Sequence, residues 1–419
     1  MIGLIDANSF YCSAETVFRP DWRGKPIVVL SNNDGTAVAV NRQAKDLGIP
    51  KFKPYFEIKA QCELHKVIVL SSNYELYSHI SANMMQVIGR FSPDFHVYSI
   101  DEAFLDYRRC DKAIPDFRSE GALIRRTVWK ECRLAVCAGF GETLTLSKIA
   151  NHAAKKLPGY HGVCVLDTQE ETTRVLGLLD AGSVWGIGRK LSKRLEFMGV
   201  NTALDLARLS PSKARKDFSV EVERIVRELN GERCKHWDSS RADKKQIFST
   251  RSVGARIDNL LDLQQALSTH AGIASRKARK QNSLCKAMIC FAANSPFDDK
   301  PVSFKAVKQF PYPTADVTQI TKAATELAKE LYRDGVRYYR IGVGFIDLVD
   351  GEHEQGDLFN PTPNNEKLMQ VFDGLNHRFG TDTVFLGAQG IQQKWKMRRD
   401  KLTPQYTTRW TDLPNIKCK

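Results

Sequence analysis

The sequence predicts a multidomain α+β protein, and three observations support this fold class. Residues 1–168 alternate short apolar runs, which are typical of strands, with stretches of helical periodicity. Residues 169–240 keep the helical periodicity but lack strong strand candidates, whereas residues 245–346 alternate strand and helix again. At about 150 residues per domain, a chain of 419 residues has room for two to four such units.

Six apolar runs mark the strands that we expect in the first of these regions. They lie at residues 2–5, 26–30, 67–70, 96–100, 134–139 and 162–166. Because helical stretches separate them, the pattern indicates a mixed sheet covered by helices, an arrangement typical of a catalytic domain.

The second region is expected to be a small all-helical unit that contacts DNA. The segment VWGIGRKLSKRL at 184–195 resembles a helix-hairpin-helix, with a Gly-Ile-Gly turn before a basic helix. Glycines let such a turn approach a phosphate, and amides at the helix start can bind it without reading the base sequence. The alternative is an ordinary tight turn. The DNA-binding candidates here are Gly186, Gly188, Arg189, Lys190 and Lys193.

The third region is expected to be a compact two-layer module. A polar linker at 237–246 precedes it, and its pattern reads in the order βαββαβ. The strands are expected at 248–254, 286–293, 302–308 and 338–346, and the helices at 262–280 and 318–334. Residues 347–365 are acidic and rich in Gly, Pro and Asn, which indicates a flexible tether before a short terminal segment.

The positive charge is concentrated in the third region. The chain carries a net charge of +14, and residues 241–346 contribute 18 basic and 9 acidic side chains to it. A local excess of this kind favours nucleic acid as the partner, although a basic surface kept for solubility is the alternative. No apolar run reaches the roughly 18 residues of a membrane span, and the ten cysteines form no C-x-x-C pair. We therefore expect a cytoplasmic protein with reduced thiols and no membrane association.

Three acids are candidates for a catalytic metal site. Asp6 ends the first strand, and Asp101 and Glu102 follow the run at 96–100. An ionised carboxylate at the edge of a hydrophobic sheet is costly unless it is paired or bound to a cation. Such a trio suits two hard divalent ions that activate a hydroxyl and hold phosphates. The alternative is acids that cap loops or pair with arginine.

Three motifs resemble those of the Y-family of DNA polymerases. They are DANSFYCSAE at 6–15, SIDEAFLD at 99–106 and SKIANHAAKK at 147–156. The similarity is closest to the branch of the family that serves lesion bypass in the bacterial SOS response. It implies a right-hand polymerase with a palm (1–10 and 78–168), fingers (11–77), a helical thumb (169–240), a little finger (245–346) and a C-terminal regulatory tail (347–419).

The resemblance also implies roles for individual residues. Asp6, Asp101 and Glu102, with the Ala7 carbonyl, would bind two Mg²⁺ ions, and Tyr11 would be the steric gate that excludes a ribose 2′-hydroxyl. The backbone amides of Ser9, Phe10 and Tyr11 would receive the triphosphate, because consecutive amides form an anion-binding concavity. Lys45 and Lys155 match the positions that reach the incoming triphosphate, where cations offset the charge of the transferring phosphate. The alternative for both is a solvated surface lysine, and Lys156 is a rival of Lys155. Many family members have an aromatic residue at the position of Arg42 and arginine at that of Lys45, so Arg42 is a nucleotide-binding candidate whose contacts are divided differently with Lys45. Leu144 stands where close relatives carry a lysine.

The remaining implications concern DNA and protein partners. The βαββαβ module resembles the little finger that lies along primer-template DNA, with Arg251, Arg256, Lys286, Lys305 and Arg340 as candidate phosphate contacts. Gln355, Leu358 and Phe359 resemble the Q-x-x-L-F peptide that binds the β sliding clamp, with Leu358 and Phe359 filling an apolar pocket. Residues 387–414 resemble the C-terminal segment of the SOS branch, which implies partnership with the UmuD′ dimer and a RecA filament.

We therefore expect an error-prone translesion DNA polymerase, associated with the nucleoid when active, that adds deoxynucleoside triphosphates to a primer. One alternative is a catalytically inactive scaffold that binds DNA and recruits partners at damaged sites. Another is a palm-type nucleotidyl transferase, such as a cyclase, that works without a template. Retention of all three acids disfavours the scaffold, and the two DNA-binding regions disfavour the cyclase.

Overall fold

The protein is described from a computed structural model, which covers residues 1–237, 243–352 and 364–413. The described chain forms two compact units. Unit 1 contains residues 1–31, 35–237 and 401–413, and unit 2 contains residues 32–34, 243–352 and 364–400. None of the helices in the described part of the chain has the length and apolar character needed to cross a bilayer.

The first part of unit 1 is an α/β region with two sheets. Its elements are β1 (Ile2–Ala7), α1 (Phe10–Phe18), β2 (Ile27–Leu30), β3 (Ala37–Val40), α2 (Arg42–Asp46), α3 (Tyr55–Leu64), β4 (Ile68–Ser71), α4 (Tyr74–Ile88), β5 (Asp94–Val97), β6 (Glu102–Asp106), α5 (Phe117–Cys132), β7 (Val136–Gly141), α6 (Leu144–Lys156) and β8 (Val163–Val165). A five-stranded sheet has the order β5-β6-β1-β7-β8, and a three-stranded sheet has the order β3-β2-β4.

Helices cover both faces of the five-stranded sheet. Side chains of β7 alternate between two cores: Phe140 packs in the core that includes α4 and α5, whereas Cys137 packs in the core that includes α6. Helix α6 lies so close to β7 that a Cβ on Gly139 would overlap the backbone of Asn151. This close contact fixes α6, and the lysines that it carries, against the central strands.

The second part of unit 1 is helical, as the sequence predicts. It contains α7 (Gln169–Leu178), α8 (Arg189–Phe197), α9 (Ala203–Ala207), α10 (Pro211–Asp217) and α11 (Val220–Leu229). Helix α11 is joined to the start of α6 by the fully buried carboxylate of Glu228, which accepts hydrogen bonds from the backbone N–H and the hydroxyl of Thr145. These helices therefore share a polar contact with the sheet region as well as an apolar core.

Unit 2 confirms the predicted βαββαβ order. Its elements are β9 (Ile247–Ile257), α12 (Leu260–Lys280), β10 (Ser283–Ala293), β11 (Ser303–Thr314), α13 (Val317–Leu331) and β12 (Tyr338–Asp350). The antiparallel sheet has the order β11-β10-β12-β9, and α12 and α13 pack on one face of it. The other face, which we call the open face, carries Lys305, Phe291, Gly342 and Thr250 in one row of neighbouring residues across the four strands.

The C-terminal region continues into both units. Helix α14 (Glu366–Phe379) lies in unit 2, where Asp373 receives two hydrogen bonds of 2.6 and 2.7 Å from the Arg279 guanidinium. Trp395 is buried in the core of the same unit. Residues 401–413, which we call the C-terminal strap, belong to unit 1.

Several expectations about individual elements were wrong. The strand expected at 96–100 lies at Asp94–Val97, and the strands β3 and β6 were missed. The segment after the tether was expected to be short, whereas it contains the 14-residue helix α14. The nine cysteines among the described residues are free thiols, and six of them are buried, as expected.

Candidate active site

The three candidate acids lie together on the central strands of unit 1. Asp6 near the end of β1 is directly opposite Glu102, the first residue of β6, in an antiparallel pair. Asp101 immediately precedes β6, and its carbonyl oxygen accepts a hydrogen bond of 2.9 Å from the Ala7 N–H. The expectation that Asp101 and Glu102 follow a strand was therefore wrong, because the chain turns after β5 and they begin the next strand. The antiparallel register still brings them beside Asp6.

Lysines of α6 neutralise two of these carboxylates. Lys155 forms an ion pair with Asp6, and the Lys148 ammonium lies 3.0 and 3.1 Å from the two oxygens of Glu102. Burial raises the pKa of the Asp6 carboxyl, and the neighbouring Glu102 and Asp101 raise it further, against the opposing effect of Lys155. A carboxyl in this position requires a nearby cation to remain ionised.

Lys148 is the site residue that sequence reasoning missed. It is seven residues before Lys155, which is two helical turns, so both ammonium groups project from one face of α6. Its ammonium also lies 4.4 Å from the ring centroid of Tyr98 and 5.2 Å from that of Trp185. The spacing within the SKIANHAAKK motif was the signal that could have identified it.

The three carboxylates are ligands of the kind that bind divalent ions, although in this structure each of them contacts another side chain of the protein. Asp101 accepts a hydrogen bond of 2.6 Å from the Ser99 hydroxyl, while Asp6 and Glu102 bind lysines. Within the ranges that the structure describes, no three acidic, His or Cys side chains converge as a ready-made metal cluster. Carboxylate oxygens on adjacent strands are nevertheless the ligands that hard divalent ions prefer. In this structure the ammonium groups of Lys148 and Lys155 neutralise two of the carboxylates instead.

Tyr11 lies in an aromatic stack beside the acids. It follows Phe10 at the start of α1, after Ser9, which has a left-handed backbone with φ of 46°. The Tyr11 ring stacks on Tyr77 with centroids 4.6 Å apart and meets Tyr74 edge-on at 6.1 Å. Burial, together with the charge of the nearby Asp101, raises the pKa of the half-buried Tyr11 phenol. The ring thus packs against two other tyrosines, close to one candidate metal ligand.

The other nucleotide-binding candidates differ in what they can offer. Phe10 is buried in the core, so that only its backbone is available for a phosphate. Lys45 in α2 lies in the field of Lys155 and Lys156, and its pKa is lowered mainly by burial and then by such neighbouring ammonium groups. Arg42 is highly exposed and lies 3.9 Å from Asp46.

Leu144, the first residue of α6, lies in an apolar environment. It is buried in a small apolar cluster with Ile2, Leu4 and Phe104, against Trp185 and Trp237. No phosphate contact is therefore expected from this turn, in line with the absence of a lysine there.

The predicted glycine turn precedes a basic helix, as expected. Gly186 has φ of +95°, and Gly188 is the N-cap of α8 with no atom near its missing side chain. Arg189, Lys190 and Lys193 are all exposed on α8. The helix before the turn is only a three-residue 3₁₀ turn (Ala181–Ser183), so the hairpin is shorter than expected.

The basic candidates of unit 2 occupy different surfaces. Lys305 and Arg340 are exposed on the open face, and Lys286 is exposed beside a β-bulge of β10. Arg251 is opposite the core residue Ile341, which places it on the helical side of the edge strand β9. Arg256 donates two hydrogen bonds of 2.8 and 2.9 Å to Asp298, so its guanidinium is already engaged. Gln355, Leu358 and Phe359 of the clamp prediction lie outside the described residues.

Comparison with known proteins gives the family. Residues 5–152 match the impB/mucB/samB family, residues 244–358 match its C-terminal domain, and residues 366–416 match a domain of unknown function, DUF4113. UmuC of Salmonella typhimurium is 40% identical over 426 residues, covering 100% of both chains. The chain belongs to the impB/mucB/samB family.

More distant relatives are named DNA polymerases. DNA polymerase IV of Bacillus anthracis is 26% identical and covers 96% of each chain. A Y-family DNA polymerase chimera of Dbh and Dpo4 superposes with a TM-score of 0.65 at 20% identity, covering 84% of this chain and 100% of the other. The Y-family polymerase fold is thereby confirmed, and family membership confirms a DNA polymerase of translesion synthesis in the SOS branch. Enzymes of this kind work with divalent metal ions.

Proposed function

We propose that this chain extends primers on damaged templates with the Asp6, Asp101 and Glu102 carboxylates as its catalytic centre. The observation that carries the proposal is the cross-strand pair of Asp6 and Glu102, with Asp101 adjacent and lysines of α6 on two of the three acids. Three acids and two cations in one partly buried cluster are hard to explain as structural, because removing each charge from water costs free energy. A reaction centre that handles anions and cations accounts for them.

The metal ions proposed for this site are two Mg²⁺, held by the three carboxylates and the Ala7 carbonyl. When bound, they would lower the pKa of the primer 3′-hydroxyl and stabilise charge on the triphosphate. Side chains of the protein would supply the remaining positive charge at the triphosphate. Lys155, released from Asp6, would have a triphosphate oxygen as its new partner, and Lys45 would add a second positive charge.

The nucleotide would be bound through the start of α1. Consecutive backbone amides of Ser9, Phe10 and Tyr11 precede and begin this helix, and the left-handed Ser9 backbone shapes the turn. Tyr11 would then lie beneath the sugar and exclude a 2′-hydroxyl by steric overlap. The stacking of Tyr11 on Tyr77 supports this role, because a steric gate must not move aside.

Primer-template DNA would be gripped through its phosphates by both units. The glycine turn with α8 in unit 1 supplies amides and the exposed Arg189, Lys190 and Lys193. Unit 2 would contribute Lys305 and Arg340 from its open face, with Lys286 nearby. A relative in the family fold is described as an insertion ternary complex of Dbh DNA polymerase, which supports DNA and nucleotide as substrates here.

Three protein partners belong to the same proposal. The full-length similarity to UmuC, including the DUF4113 region at 366–416, supports a UmuD′ dimer and a RecA filament as activating partners. The Q-x-x-L-F peptide at 355–359 supports binding to the β sliding clamp through Leu358 and Phe359. Such partners would make the enzyme active mainly where DNA is damaged.

The test is primer extension past a damaged template base by the full-length protein. Asp101→Asn removes one ligand charge with almost no change of shape, and we expect extension to fall by at least about a hundredfold. The matched control is Asp94→Asn, an exposed residue of β5, which should keep full activity. Equal extension by the wild type and Asp101→Asn would refute the catalytic centre and leave a DNA-binding scaffold as the function.

A further inference from the structure

The C-terminal strap contacts the helix that supports Tyr11. Lys401 exchanges hydrogen bonds with Ser71 at the end of β4, and the Asn73 amide donates to the Thr403 carbonyl and hydroxyl oxygens at 3.1 and 3.0 Å. Asn73 is also the N-cap of α4, where its side chain accepts from the Leu76 N–H. The strap is therefore attached to the start of α4, the helix that carries Tyr77.

A buried carboxyl group links the strap to the aromatic stack. Glu15 is only 1% exposed, and one of its oxygens accepts hydrogen bonds from the Tyr77 hydroxyl at 2.6 Å and from the Thr403 hydroxyl at 3.2 Å. Its other oxygen has no partner in the part of the chain that the structure describes. Glu15 is four residues after Tyr11 on α1, so both project from the same side of that helix.

These contacts form a continuous path of four side chains. Thr403 in the strap donates to Glu15, Glu15 holds the Tyr77 hydroxyl, and the Tyr77 ring stacks on Tyr11 with an interplanar angle of 18°. Tyr77 is fully buried, so it has little freedom to move unless this path opens. The path thus connects the Tyr11 ring with a residue nearly 400 positions away in sequence.

Packing alone does not require this arrangement. Burial raises the pKa of Glu15 to about 7, because the ionised carboxyl is poorly solvated there, against the opposing effect of the Tyr77 and Thr403 hydrogen bonds. An apolar side chain of similar volume would fill the space without that cost, whereas only a polar group can orient two hydroxyls at once. The contacts of Glu15 therefore orient the Tyr77 and Thr403 hydroxyls as well as filling the space between them.

We propose that the C-terminal strap is a specificity element that sets the sugar selectivity of the polymerase by holding Tyr77, and through it Tyr11, in the gate position. Thr403, Glu15 and Tyr77 are positioning residues in this scheme, since none of them touches the nucleotide. The inference rests on the proposed function of Tyr11 as the steric gate. It gives the C-terminal region a role at the nucleotide site in addition to any partner binding.

The test compares the incorporation of dCTP and CTP opposite a template guanine by the full-length protein, in the assembly that extends primers. Thr403→Val removes the hydroxyl at constant shape, and we expect kcat/KM for CTP to rise about fivefold, the equivalent of one hydrogen bond of about 1 kcal/mol, with dCTP unchanged. Tyr77→Phe should give a similar selective rise. Thr403→Ser, which keeps the hydroxyl, should restore the original selectivity. Thr411→Val is the matched control, because Thr411 is an exposed strap residue whose hydroxyl contacts Asp412.

The outcomes separate this inference from the function on which it rests. If Tyr11→Ala admits CTP but Thr403→Val and Tyr77→Phe do not, the role of the strap is refuted while the gate stands. If Tyr11→Ala leaves sugar selectivity unchanged, the gate itself is wrong and the inference falls with it. Equal losses for dCTP and CTP in Thr403→Val, with a lower melting temperature, would reduce the strap to a structural contact. In the Tyr11→Ala background, Thr403→Val should have no further effect.

Discussion

Replacement of Glu228 by glutamine is expected to destabilise unit 1 strongly. The Glu228 carboxylate is fully buried, and all four of its described hydrogen bonds are accepted from donors. One oxygen accepts from the Thr145 N–H and hydroxyl at 2.9 and 2.7 Å. The other accepts from the N–H groups of Cys234 and Lys235 at 3.2 and 2.9 Å. The residue joins α11, the following loop and the start of α6.

The magnitude follows from the number of bonds that the substitution removes. The amide of Glu228→Gln has one oxygen and one NH₂ group, and the NH₂ group cannot accept hydrogen bonds. If the NH₂ group faces the loop after α11, the N–H groups of Cys234 and Lys235 both lose their acceptor. A hydrogen bond to a charged group contributes about 1.5 to 3 kcal/mol, so the expected loss is about 3 to 6 kcal/mol. For a unit of this size, that corresponds to a fall in Tm of about 6 to 24 °C.

The assay is thermal and urea unfolding of the full-length protein, followed by circular dichroism and by hydrogen exchange of α6 and α11. Glu221→Gln is the matched control, because Glu221 is on the same helix but is 61% exposed and pairs with Arg224 at the surface. It should change the stability by less than about 1 kcal/mol. Equal destabilisation by the two variants, or none by Glu228→Gln, would refute the assignment of Glu228 as an essential buried acceptor.

Three further predictions concern packing, pH and salt. Gly139→Ala would place a Cβ against the backbone of α6 and should destabilise unit 1 by about 3 kcal/mol in urea unfolding, whereas Gly374→Ala, which meets no atoms on α14, should be neutral or stabilising. Burial lowers the pKa of His270 to about 4, so the unfolded chain takes up this proton first. The contribution of His270 to stability is present above pH 6.5 and should be lost as the pH falls towards 4, by up to about 3 kcal/mol. In His270→Gln this part of the pH dependence should disappear from the unfolding curves. Lys305→Ala should reduce the slope of log K for DNA against log salt by about one, while Arg251→Ala, on the helical side of the sheet, should not; equal slopes for both variants would contradict the open face as the DNA surface.

Local sequence patterns were sufficient to predict most of the elements. The βαββαβ order of unit 2 was predictable because its helices carry clear apolar stripes, such as Ile320, Ala324 and Leu327, all of which are buried. The strand β6 was missed because its residues EAFLD follow β5 after a turn, and two acids interrupt the apolar pattern. Helix α14 was missed although Leu368, Phe372, Leu375 and Phe379 recur at helical spacing. The strand β3 was missed although all four of its residues are apolar. The local pattern was therefore sufficient for these two elements, whereas β6 needed the strand pairing of the sheet.

The candidate site shows the same division between local and distant information. The motifs identified Asp6, Asp101 and Glu102, but only the antiparallel register reveals that Asp6 is directly opposite Glu102. The ion pair of Lys148 with Glu102 depends on the packing of α6 against the sheet, which no local pattern encodes. The path from Thr403 to Tyr11 joins the two ends of the chain and could not be seen in the sequence. Site residues were thus predictable by type, whereas their partners required the tertiary structure.

The return of the chain to unit 1 at Lys401 affects how the protein would respond to cleavage. A protease that cuts once between residues 237 and 243 would give two polypeptides with no covalent link, and the second of them would carry the C-terminal strap. The strap would still bind the rest of unit 1 through noncovalent contacts, such as the hydrogen bonds of Lys401 with Ser71 and of Asn73 with Thr403. Nicked protein would therefore stay assembled until the strap dissociates.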